Sequence, residues 1–134
     1  MRKSYLLAVL GAVVLVLAGC ATTGPSGVGF SNGVMVNPAG MTLYTFDKDP
    51  GGAGKSVCND KCAVAWPPLR AGASDTPGGD FSIVTRDDGS RQWAHRGKPL
   101  YTWVKDTKPG DRTGDKFNKV WHVIESPRFG MTTY

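Results

Sequence analysis

Two short stretches of the 134-residue chain bring reactive side chains into close spacing. Cys58-Asn-Asp-Lys-Cys62 sets two thiols four positions apart. As thiolates beside an imidazole from His95 or His122, they would suit soft copper(I) or a thiol redox reaction. Asp47-Lys48-Asp49-Pro50-Gly51 offers neighbouring carboxylates and a turn glycine, the beginning of a calcium loop. The third acidic position and closing Glu of an EF-hand are missing. Covalent haem attachment needs CxxCH, and Cys62 is followed by Ala63. The chain has no nucleophile elbow, phosphate loop or HExxH segment, and no carboxylate pair set for acid/base work. The expectation is therefore a protein that is not an enzyme and holds no cofactor, with copper as the alternative. His95 and His122 are expected in surface or hydrogen-bonded structural roles. Asp49 and Asp106 are expected to bind loop amides where strands end.

The third cysteine belongs to a different chemistry. Arg2 and Lys3 precede an apolar run from Tyr5 to Ala18, shorter than the roughly 18 or more residues of a membrane span and suited to a signal-peptide core. Leu17-Ala18-Gly19-Cys20 resembles the lipobox at which lipoprotein signal peptidase cuts once the thiol carries diacylglycerol. Residues 1–19 are thus expected to be removed. Cys20 would become the lipidated N-terminus, palmitate-type acyl chains holding the protein on a membrane of the cell envelope. Ala21 in place of Asp would direct it to the outer membrane if the host is Gram-negative. Lipidation consumes Cys20 and leaves an even pair in an oxidising compartment. Cys58 and Cys62 are therefore expected to form a disulfide, with copper binding or redox exchange as the rival.

Beyond Cys20 the chain is moderately apolar, with 39 hydrophobic residues in 114, and nearly balanced in charge, 14 basic against 11 acidic side chains. The charges are interspersed, which excludes a nucleic-acid footprint and leaves the membrane as the one expected partner; ligand and protein partners are not indicated. Residues 20–32 have a tether's composition, and 33–134 make one small folded domain. All four Trp and all five Phe lie in the mature chain, so aromatics must carry much of its core.

The domain contains an internal repeat. Gly40-Met-Thr-Leu43-Tyr44-Thr45-Phe46-Asp47-Lys48-Asp49 matches Gly97-Lys-Pro-Leu100-Tyr101-Thr102-Trp103-Val104-Lys105-Asp106 without gaps at an offset of 57. Each copy follows β-forming residues and a short loop closed by Gly, Asn37 to Gly40 or Ala94 to Gly97, which predicts a hairpin at the head of each half. Alternation puts Tyr44 with Phe46 and Tyr101 with Trp103 on one strand face, predicting a shared core between the halves; an aromatic ligand groove is the alternative. Beyond Asp49 and Asp106 the aligned sequences diverge, into a cysteine-bearing excursion and a turn-rich loop.

The doubled Tyr-x-(Phe/Trp)-x-x-Asp motif (Tyr44, Phe46, Asp49; Tyr101, Trp103, Asp106), CAxxWPPL at 62–69, DGxxQW at 88–93 and GDxxxxVWH at 114–122 resemble a family of small bacterial lipoproteins built from a secreted repeat named for this motif. The resemblance spans about residues 33–124. It implies membership and carries over no catalytic residue, since the family has no assigned activity.

The expected fold is mainly β: a small antiparallel sheet or barrel-like domain from two related hairpin repeats, about 33–69 and 81–124. Further strands are expected at Phe81 to Thr85 and Val120 to Ile124. One short helix is expected near 59–65, capped by Ser56 and ended by Pro67. An i, i+4 pair on a regular helix is too widely spaced for a disulfide, so Cys58 should sit at or before the first turn and Cys62 within the helix. The function expected is a membrane-anchored, non-enzymatic binding or structural module, with an envelope copper or thiol-redox lipoprotein as the alternative.

Overall fold

The structure, a computed structural model, describes residues 11–15, 24–52 and 54–127. Cys20 and the cleavage site lie outside the described residues. Among the described residues no helix is long and apolar enough to cross a membrane.

The domain is mainly β. Strand β1 (Gly29–Ser31) pairs with β2 (Val34–Val36), β3 (Tyr44–Phe46) with β7 (Trp121–Val123), and β4 (Phe81–Thr85), β5 (Arg91–His95) and β6 (Lys98–Pro99) form a three-stranded sheet, all antiparallel. β1 occupies part of the stretch whose composition suggests a tether. Its turn is Asn32-Gly33, both at positive φ (48° and 84°), as a two-residue type I′ hairpin requires. The second repeat has the same device at Arg96-Gly97 (49° and 80°). Ala94 and His95 therefore belong to β5 rather than to the hairpin loop expected there, because a two-residue turn suffices to reverse the chain.

Helix α1 (Lys61–Ala65) is shorter than expected. Ser56 does not cap it: the N-cap is Asp60, with no side-chain cap bond, and the Ser56 hydroxyl is committed elsewhere. Trp66 ends the helix, and Pro67 follows at a position whose ring disfavours helical geometry before it. Cys58 precedes the helix, Cys62 lies inside it, and the two are disulfide-bonded with Cα atoms 5.2 Å apart. In the second repeat the corresponding region is a run of turns ending in a 3-10 turn, Phe117–Lys119.

Two buried clusters lie on opposite faces of the repeat strands, as alternation requires. One holds Met35, Leu43, Trp93 and Leu100; the other holds Tyr44, Phe46, Cys58, Trp66, Tyr101, Trp103 and Trp121. Each Leu-Tyr dipeptide of the repeat thus divides its side chains between the two clusters.

Candidate functional site

The motif residues converge on an approximate two-fold relation between the repeats. Tyr44 N–H donates to Tyr101 C=O at 2.8 Å, and Tyr101 N–H returns the bond to Tyr44 C=O at 3.0 Å. The side chains then cross over. Tyr44 O–H donates to Asp106 Oδ2, and Tyr101 O–H to Asp49 Oδ2, each at 2.6 Å. Each tyrosine of one repeat is held by the aspartate of the other. The remaining carboxylate oxygen ties down the loop that follows its own strand, Asp49 Oδ1 accepting from Val57 N–H and Asp106 Oδ1 from Thr113 N–H and its hydroxyl. These loop-amide bonds are the expected aspartate role; the cross-repeat tyrosine bonds are additional.

A phenol that gives its proton to a carboxylate retains oxygen lone pairs, and the two repeats fill them differently. Tyr44 Oη accepts the Gly114 backbone N–H at 3.2 Å. Tyr101 Oη accepts from the Ser56 hydroxyl at 2.7 Å, since its own proton is already committed. Ser56 Oγ in turn accepts from Arg86 Nη1 and Cys58 N–H. Arg86 also donates to Gln92 Oε1, Asn59 Oδ1 and Cys58 C=O, the last at 2.5 Å. Both Arg86 and Asp49 are buried, and the hydroxyls of Tyr101 and Ser56 connect them. Burial, then the hydrogen bond to the aspartate, pushes the ionisation of both tyrosines well up, so both phenols stay neutral. Desolvation also raises the Asp49 carboxyl, against the lowering effect of the Tyr101 and Val57 hydrogen bonds.

The aromatic faces stack across the same relation. Phe46, Trp121, Trp66 and Trp103 form a continuous column with successive ring centroids 4.3, 3.8 and 3.9 Å apart. Phe46 and Trp103 are repeat equivalents, and so are Trp66 and Trp121 at its centre. The sequences after the two aspartates are therefore less divergent than they look: the loops differ by two residues, which hides the tryptophan match from the 57-residue offset. Gly114 is fixed by this packing, because a Cβ there would come within 2.7 Å of the Trp66 ring.

The cysteines and histidines do not assemble. Both thiols are bonded to each other, His122 Nε2 lies 2.8 Å from Asp47 Oδ2 on the surface, and His95 packs against Phe81 near Asp80. Among the described residues no group of three or more His, Cys, Asp or Glu side chains is placed to hold a metal ion. Sequence reasoning missed Ser56, Gln92 and Arg86 as members of the buried network. The only local signal was their polarity, and only the fold reveals their burial.

A mainly β domain made of two sequence repeats, with its repeat motif buried at their junction, defines a secreted two-repeat module. The chain belongs to the family described as a secreted repeat of unknown function, with one copy matched at residues 31–70 and a second at 82–125, together more than half of its length. Membership in a secreted family places it outside the cytoplasm. No curated protein and no solved structure matches it.

Proposed function

We propose that this protein is a lipid-anchored, non-enzymatic module of the cell envelope, whose repeat motif builds a rigid body and whose outer surface meets its partner. The observation that carries this reading is where the motif's polar groups are spent. Tyr44, Tyr101, Asp49 and Asp106 are each no more than 6 % exposed and bind one another or loop backbone, leaving no motif group free to act on a ligand.

Chain length supports the anchor. Gly24 already packs beside Phe81, and three residues separate it from Cys20, a reach of about 14 Å when extended. A lipidated Cys20 would hold the domain close against its membrane. The copper or thiol-redox alternative is weaker, since copper(I) needs thiolates that the bonded cysteines do not present. Labelling with a radioactive fatty acid tests the anchor: the full chain should take up label and sediment with membranes. Cys20→Ala should do neither, because only that thiol can accept diacylglycerol; label persisting in the variant would refute the assignment.

A further inference from the structure

The pairings that close each repeat are supplied by the other repeat. Met35 N–H donates to Ile124 C=O at 2.9 Å, and in mirror fashion Trp93 N–H donates to Leu69 C=O at 2.8 Å. β3 takes β7 as its partner, while Thr102 N–H binds Pro67 C=O at 2.9 Å. Each repeat is an open clasp whose first hairpin and last strand do not pair with each other. The covalent link between the clasps is a largely exposed loop, residues 72–80, held to the body by the Arg91 guanidinium on the carbonyls of Gly72 and Asp75 and, at its far end, by the backbone N–H and guanidinium of Arg96 on Asp80.

From this we infer that the clasp surface takes a second copy of this chain as its partner. Two chains exchange repeats, each first repeat closing on the other chain's second. Both tyrosine–aspartate crossings and the four-ring column are rebuilt between chains, and only loop 72–80 changes its path. The result is a closed two-fold dimer, the form of assembly that exchange of identical elements gives. Closure within one chain is favoured by the millimolar effective concentration that a short flexible connection supplies. Exchange therefore grows as the loop is shortened or as chains are crowded together.

Cross-linking in the full chain tests this, because Thr45 and His122 are Cα partners across β3 and β7, a spacing a disulfide can span. The Thr45→Cys, His122→Cys double variant should link within one chain and so establishes that the geometry permits the bond. Thr45→Cys and His122→Cys placed on two differently tagged copies and co-expressed should yield a covalent two-tag species. Removing residues 73–78 from both copies should raise its proportion at least ten-fold. If the double variant links internally while the tagged copies never link, exchange is refuted. A shortened chain that stays folded and solely monomeric refutes it equally, and the copies with the full-length loop decide the matter if the shortened chain does not fold.

Discussion

The two tyrosine–aspartate crossings share one geometry but are closed by different means. In the first repeat, Asp49 and Tyr101 connect through Ser56 to a buried arginine, and the disulfide between Cys58 and Cys62 fixes the backbone that Arg86 grips. In the second, Asp106 and Tyr44 are closed by Thr113 and by Gly114, whose missing side chain admits the Trp66 ring. One side relies on a charged network and a covalent staple, the other on backbone bonds and close packing. The shared requirement is a buried phenol with its proton directed to a carboxylate; the surroundings are free to vary as long as the remaining lone pairs are satisfied.

The largest expected effects fall where the two sides are alike. Tyr44→Ala and Tyr101→Ala should each cost roughly 3 to 5 kcal/mol in a denaturant titration, the range for emptying a large aromatic core site. A loss below about 1 kcal/mol for either would break the equivalence. Next come the residues that distinguish the sides. Arg86→Ala strips four acceptors of a buried donor and removes one of the two cations, with Lys98, that favour the Asp49 carboxylate, so about 3 kcal/mol should be lost. Thr113→Ala keeps the backbone donor to Asp106 and should cost only about 1 kcal/mol. Similar losses for the two variants would mean that the charged network adds nothing.

Reduction of Cys58–Cys62 should destabilise by less than about 3 kcal/mol, because the closed loop is short. Mass spectrometry of alkylated, unreduced protein should detect no modified thiol at either position. The smallest effect is on pH dependence. Burial raises the Asp49 carboxyl in the folded chain above its ordinary value of 3.8. Its contribution is therefore full below that value and lost as pH rises through the folded-state pKa. Relative to Asp49→Asn, the wild type should gain stability as the pH is lowered toward the ordinary carboxylate value of 3.8. Parallel stability curves for the two proteins would remove the claim that Asp49 is desolvated more than it is compensated.

Much of this could be read from residue order. The ungapped Leu-Tyr-Thr match identified equivalent core positions, the strand at Phe81 to Thr85 followed from its β-forming residues and the turn after it, and cysteine parity gave the disulfide. The exchange between repeats could not be read: two equivalent strands offer the same side chains whether a repeat closes on itself or on its neighbour, so pairing within and between repeats has one sequence signature. Asn32-Gly33 did carry a strong hairpin signal, obscured by the Gly- and Ser-rich stretch before it. Ser56 looked like a helix cap because caps and buried relays use the same hydroxyl. Arg86 follows a strand and precedes two aspartates, a local setting typical of solvent-exposed charge, and only the packing of α1's approach over β4 and β5 encloses it.

The central claim is that two interlocked repeats form one cooperative unit in which neither half stands without the other. Native-state hydrogen exchange tests it most directly at the amides of Met35 and Trp93, equivalent donors that each reach into the opposite repeat. Interlocking predicts the same opening free energy for both, equal to that of global unfolding and lowered equally by Tyr44→Ala. If one amide exchanges through a cheaper opening while the other keeps its full protection, the repeats unfold separately and the account is contradicted.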